Sequence, residues 1–334
     1  MQNSDRVTCV LALAIAAAMA NGPARAQGGP NDAPNPYKME ENWAKLPEGR
    51  KMGAPIGVEV DRDGKSVWVF ERCGGNDCGK SNLAPVVKFD PTGKFVTAIG
   101  ASMFNFPHGL GIDREGNVYV TDGRAKNGKG DVVVKFAPDG KVLLTLGKPG
   151  MPGDGEAYLN QPSDVAIAPN GDIYVADGHG GTSNDRIVKF SKDGKFIKAW
   201  GKHGKAPGEF DTPHGIALDA DGHVYVADRV NSRVQVFDGD GKLMHEWKQF
   251  GRPSSVFVDK NGILYVADSQ SNEKTNPGFK AGIRVGSIKD GKVTAFIPEQ
   301  SAELGVPESI SVDDQGAIYA GFTNKMKLHR FVRK

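Results

Sequence analysis

The chain is short of net charge, of cysteine and of long apolar runs, and each shortage excludes a class of function. Its 42 Lys and Arg face 40 Asp and Glu, for a formal net charge of +2 over 334 residues. That balance offers no electrostatic footprint for nucleic acid or for an anionic membrane surface. No stretch reaches the ~18 consecutive apolar residues of a bilayer-spanning helix, the run from Val10 to Ala20 being too short. What is plentiful is turn chemistry, with 44 glycines and 20 prolines. The length admits two or three ordinary domains, or one large all-β domain of the kind that often exceeds ~200 residues.

The N-terminus reads as a targeting segment. Arg6, the apolar run that follows and the "ARA" before Gln27 describe a secretory signal peptide over residues 1–26, cut after Ala26. The expected destination is a bacterial periplasm or the extracellular medium, with no membrane insertion once the signal is removed. Residues 27–36, "QGGPNDAPNP", then read as a flexible leader. Cys9 departs with the signal, leaving Cys73 and Cys78 in "ERCGGNDCGKS". Two cysteines this close in a Gly/Asn loop of an oxidising compartment are expected to form a local disulfide. A metal site would need more ligands than this loop supplies.

The rest of the chain repeats. A unit made of Pro, an alternating apolar strand, a turn such as "DADG" or "DREG" and a second strand such as "VYVAD" begins at Pro55, Pro107, Pro162, Pro213, Pro253 and Pro307. Most copies continue into a third strand (VVVKF, RIVKF, RVQVF), a "DGK" turn and a fourth. The turn glycine supplies the positive φ that other residues resist. The Asp residues in these turns lack the alternating oxygen ligands of a calcium loop. Six units of four strands predict an all-β, six-bladed β-propeller over residues 37–334. The last unit has only three strands of its own. Residues 37–46 are the spare candidates for its outer strand, which would close the ring and remove an open edge.

The residue after each repeat proline starts the innermost strand at the channel mouth, and in order these are Ile56, His108, Ser163, His214, Ser254 and Glu308. Blades two, four and six thus offer His, His and Glu at about 120° from one another. Two imidazoles and a carboxylate with an open fourth position suit a catalytic zinc, so His108, His214 and Glu308 are the expected metal ligands. The second strand returns to the same mouth, where the matched positions are Arg72, Gly123, Gly178, Arg229, Ser269 and Thr323. Arg72 and Arg229 suit a carboxylate, which a guanidinium grips bidentately; the alternative for Arg229 is a pairing with a neighbouring Asp. His179 lies one residue beyond the matched position in blade three, as a general base near neutral pH or as a plain loop residue. His203, His223, His245 and His329 lack this register and read as structural or surface groups.

Across "VADGHGGTSNDRIVKFSKDGKFIKAWG" and "FDTPHGIALDADGHVYVADRVNSRVQVF" the chain resembles the NHL-repeat propeller of the peptidyl-α-hydroxyglycine α-amidating lyases, over most of residues 51–334. The resemblance implies a zinc held by three channel histidines, an assisting arginine and tyrosine, and a calcium in the channel. His108 and His214 match two zinc-ligand positions, and Arg72 and Arg229 match the substrate-site arginines. Three departures stand out. Glu308 occupies the third ligand position, Ser309 replaces an aspartate associated with calcium, so calcium is not expected, and His179 stands where "DGY" carries the tyrosine. The expected function is an exported, zinc-dependent lyase-like enzyme acting on a small carboxylate-bearing substrate, with Arg72, Arg229 and His179 in the catalytic site. The alternative is a non-catalytic propeller that binds a ligand or another exported protein.

Overall fold

The computed structural model describes residues 29–299 and 305–334; the expected signal peptide lies outside them. Side-chain alternation and regularly spaced turns fold the chain into six four-stranded antiparallel sheets. The inner strands are Pro55–Val60, Pro107–Ile112, Pro162–Ile167, Pro213–Leu218, Pro253–Val258 and Ser309–Val312. Burial falls from the axis outward. Pro107–Ile112 is buried along its whole length, whereas the outer strand of the same blade, Val142–Gly147, is mostly exposed. No α-helix occurs among the described residues, and one 3-10 turn, Thr323–Lys325, is present. The fold is the six-bladed propeller that the repeat predicts.

The core is divided rather than central. Six apolar clusters each fill one gap between neighbouring blades, such as Trp68, Phe70, Phe104, Leu110 and Phe136 between blades one and two. The other gaps are filled in the same way, the last by Trp43, Val58, Val69, Phe89 and Tyr319 between blades six and one. Each blade therefore buries both faces, and a missing blade would strip two clusters from water-free contact.

Blade six is closed by the other end of the chain. Tyr37–Glu40 pairs with Lys327–Arg333, in the register Tyr37 with Arg333 and Glu40 with Arg330. The closure then reaches one blade further than the sequence suggests. Past Glu40, Trp43 lies edge-on to Tyr319 at 4.8 Å and 6.1 Å from Phe89 of blade one. Lys45 then bridges Lys94. The segment read as a flexible leader is tied down from Asn31 onward. Asn31 Oδ1 accepts from Lys280 N and Arg284 Nη2, its Nδ2 donates to Gly278 O, and Pro34 O accepts from Phe296 N. These bonds satisfy backbone groups along blade five, which explains why a polar, Pro-rich stretch runs against it.

Trp43→Ala is expected to cost about 3–5 kcal/mol, the usual range for deleting a large buried aromatic, and to lower the melting temperature in scanning calorimetry. Deleting residues 29–36 should also lower it, though less. Melting unchanged from the parent in both variants would sink this account of the seam.

His329 supplies a second test. It is 1% exposed, lies edge-on to Phe322 at 4.8 Å, and neither ring nitrogen has a hydrogen-bond partner. Burial, reinforced by Lys327, lowers its pKa. The unfolded chain, with His near 6.5, then binds more protons than the folded chain below that pH, so stability falls as the pH drops. His329→Leu should flatten this acid limb in denaturant titrations; an unchanged slope would assign the acid loss elsewhere.

Candidate metal centre at the channel mouth

The Pro-His-Gly motif of blades two and four has a steric explanation. A Cβ on Gly109 would lie 2.7 Å from Ser163 O, and one on Gly215 would lie 2.8 Å from Ser254 O. The missing side chain lets the next blade's inner strand close up, and its serine carbonyl then meets the histidine. His108 Nδ1 is 2.6 Å from Ser163 O, and His214 Nδ1 is 2.7 Å from Ser254 O. A carbonyl only accepts, so each Nδ1 carries the proton and each Nε2 keeps its lone pair. Both Nε2 atoms are buried with no hydrogen-bond partner. An orphaned acceptor on a 2–3% exposed side chain is costly unless something binds it.

The third member of the cluster is His179. One nitrogen from each of His108, His179 and His214 falls within 4.8 Å of the others. The ring centroids are 4.6 Å apart for His108 and His179, 4.7 Å for His108 and His214, and 5.1 Å for His179 and His214. His179 reaches this point because its loop turns back sharply: Ser183 Oγ accepts from the backbone N–H groups of His179 and Gly180, and itself donates to Asp185. Gly178 makes room, since a Cβ there would meet Asp185 Oδ1 at 2.6 Å.

This arrangement revises the expected ligand set. Glu308 lies outside the three-nitrogen cluster. Its Oε1 is 3.5 Å from His214 Nε2 and 3.1 Å from Arg229 Nη1, and its Oε2 accepts from Thr323 Oγ1 at 3.0 Å. The reason is charge: the blade-four guanidinium beside it draws the carboxylate aside. The clustered imidazoles thus come from blades two, three and four in sequence, rather than from alternate blades. Arg229 pairs with Glu308 and not with a neighbouring Asp, because Asp228 is already taken by Arg233 at 2.7 Å. Ser309 Oγ donates to Pro55 O.

His179 is also ill suited to the proton-moving role expected of it. Burial, followed by the charges of Arg229, Arg124 and Arg72, pushes its pKa down to about 3. Burial likewise holds His108 and His214 well below the usual imidazole value, with the charges of His179 and Arg229 respectively as the next causes. Three imidazoles kept neutral are good metal ligands and weak bases. The donor set therefore fits a metal: three neutral nitrogens, two of them fixed in tautomer by carbonyls, in the manner of the outer partners of metal-bound histidines.

Two residues at the mouth escaped the sequence reading. Phe106 precedes the blade-two proline, and its centroid is 6.3 Å from the rings of both His108 and His179. The guanidinium carbons of Arg72 and Arg124 lie 3.7 and 3.9 Å from that same centroid. Arg124 stands one residue past Gly123, the same offset that singles out His179 past Gly178, so a signal was present. Arg72 is anchored by Nε to Pro107 O and by Nη1 to Asn76 Oδ1. Burial lowers it to about 10, which leaves it charged at neutral pH. Behind the histidines the central channel holds a cavity of about 560 Å³ that runs from His108, His214 and Glu308 to the turns at Arg62, Lys260 and Gln315.

Comparison with known proteins agrees with the fold. The NHL repeat family matches residues 159–190 and 210–237. The chain is 34% identical over 280 residues to peptidyl-glycine alpha-amidating monooxygenase B of Xenopus laevis, covering 77% of this chain and 30% of that protein. It is 33% identical over 200 residues to peptidyl-alpha-hydroxyglycine alpha-amidating lyase 2 of Drosophila melanogaster, covering 54% and 46%. It thus spans less than half the length of either relative. A gluconolactonase from Xanthomonas campestris shares the fold, with a TM-score of 0.60 at 17% identity over 92% of this chain and 97% of that one. The chain is an NHL-repeat, six-bladed β-propeller. Within that class it resembles the peptidyl-α-hydroxyglycine α-amidating lyases.

Beside the site, Cys73 and Cys78 form a disulfide with Cα atoms 5.2 Å apart. The bridge closes the loop that carries Asn76, the partner of Arg72. Alkylation of the unfolded, unreduced protein should label neither cysteine. The Cys73→Ser/Cys78→Ser pair should cost less than the ~3 kcal/mol expected of a 15-residue loop, because the closed loop is shorter. A larger loss in chemical denaturation would mean that the bridge holds more than its own loop.

Proposed function

We propose that the protein is an exported, zinc-dependent, lyase-like enzyme that acts on a small carboxylate-bearing substrate at the channel mouth. The observation that carries this reading is the pair of buried, unpartnered Nε2 atoms of His108 and His214 facing His179. These three residues would hold the ion. The chemistry such an ion supplies when bound is Lewis-acid polarisation of a substrate hydroxyl or carbonyl oxygen. Arg72, anchored through Nε and Nη1, offers the rest of its guanidinium to the substrate carboxylate.

The acid–base role moves from the histidine to the glutamate. Glu308 is oriented by Arg229 and Thr323, and its Oε1 faces the imidazole cluster at His214. It is the carboxylate within reach of a proton on a substrate bound there. Arg229 then acts through Glu308 rather than on the substrate. The names of the amidating relatives support an α-hydroxy-carboxylate as the kind of substrate to try.

Elemental analysis of the purified mature protein should find one divalent metal per chain. His108→Ala, His179→Ala and His214→Ala should each lose stoichiometric metal, whereas Glu308→Gln should keep it. On any α-hydroxy-carboxylate that is turned over, Glu308→Gln should lower kcat by on the order of 10²–10⁴, the usual contribution of a positioned acid or base. A parent protein that takes up no metal, or a His108→Ala/His214→Ala protein that binds as well as the parent, would remove the basis for the enzyme.

A further inference from the structure

Charge at the mouth is unbalanced, and the imbalance sits in one place. Three guanidinium groups stand near the imidazoles: Arg72 and Arg124 against the ring of Phe106, which borders His108 and His179, and Arg229 on Glu308 beside His214. Among the described residues, Glu308 is the one carboxylate paired with any of them, and it is spent on Arg229. Arg72 and Arg124 have no ion-pair partner, yet both lie within 4 Å of the centroid of one ring, that of Phe106. Two like charges brought this close repel: burial is the first cause of the lowered Arg72, and Arg124 adds to it against the opposite pull of Glu308 and Asp77. The side chain of Arg124 is exposed and makes no hydrogen bond within the protein, so it is free to turn towards a ligand. Phe106 in turn borders His108 and His179, which sets the two charges beside the imidazole cluster rather than on remote surface.

We propose that Arg72 and Arg124, carried on the ring of Phe106, form a subsite for a doubly anionic group, so that the substrate is a small dianion rather than a monocarboxylate. The inference rests on the mouth being the substrate site, and it does not depend on the metal. Two guanidinium carbons that each lie within 4 Å of one ring centroid are less than 8 Å apart, a spacing that two carboxylates on adjacent carbons or a phosphate ester can span. A monocarboxylate would neutralise only one of the two charges. Arg124 is a specificity residue in this scheme: it touches the part of the substrate that does not react.

Calorimetric titration of the mature protein separates the possibilities, with lactate as the monoanion, malate as the dicarboxylate and glycerol 3-phosphate as the phosphate ester. Malate or glycerol 3-phosphate should bind on the order of tenfold or more tightly than lactate, the scale of one added charge-assisted hydrogen-bonding pair. Which of the two dianions binds tighter identifies the source of the second charge. Arg124→Ala should abolish the preference while leaving metal content as in the parent, and Arg124→Lys should keep part of it. Equal affinity for lactate and both dianions, or a preference that survives in Arg124→Ala, would overturn the subsite. Metal content measured on the same samples keeps the two readings apart. A dianion preference in protein that takes up no metal would support the subsite and remove the enzyme, and a metal-loaded protein without the preference would do the reverse.

Discussion

The mouth of this propeller depends on a buried carboxylate at the end of the second strand of blades one to five. Glu71, Asp122, Asp177, Asp228 and Asp268 are all 0–1% exposed. Each accepts a backbone N–H from the loop that leads into its own blade's inner strand: Gly53 to Glu71, Asn105 and Phe106 to Asp122, Asn160 to Asp177, Asp211 to Asp228 and Arg252 to Asp268. In four of the five an arginine completes the pairing, namely Arg50, Arg186, Arg233 and Arg284. A buried carboxylate is tolerated only with such partners, so the loop cannot drift without exposing the charge to an unsatisfied interior. The next residue along the chain is always a mouth residue. The carboxylate thus fixes Arg72, Gly123, Gly178 and Arg229 relative to the histidine that starts the inner strand.

Asp122 is the exception, and it stands beside Phe106 at the mouth. It has no arginine, accepts from two backbone groups instead, and burial raises its pKa to about 6. Its second acceptor contact is with Phe106, the ring that carries Arg72 and Arg124. The blade-two arginine that would match the others is absent from the third strand, Val132–Phe136, and a guanidinium stands at the mouth instead, on Arg124.

How much of this was legible in the sequence follows from what repeats. The blade count, five of the six inner-strand starts and the closing strand at Tyr37 came through with their residue numbers, the sixth inner strand starting at Ser309 rather than Pro307. The disulfide came through as well, and His108, His214 and Arg72 stand at the mouth where the register puts them. Glu308 came through as a mouth residue but stands outside the imidazole cluster, because register places a backbone position and says nothing of which neighbour a side chain prefers. A carboxylate offered both Arg229 and two imidazoles goes to the charge. His179 was visible as a histidine one residue out of register, and the turn built by Ser183 and Gly178, which swings it inward, is not periodic. Phe106 and Arg124 were missed for a related reason: stacking of a guanidinium on a ring brings together residues from two different loops.

The three imidazoles come from residues 108, 179 and 214, in three consecutive blades, whereas the seam joins residues 37–40 to 327–333. Pairing segments that far apart in sequence is slow, since a long loop must close before the contact contributes anything. The histidine cluster needs only the middle third of the chain, with the blade-five carbonyl of Ser254 to orient His214. The imidazole cluster thus rests on pairings of shorter sequence separation than the seam, and assembling it does not require the two ends of the chain to meet.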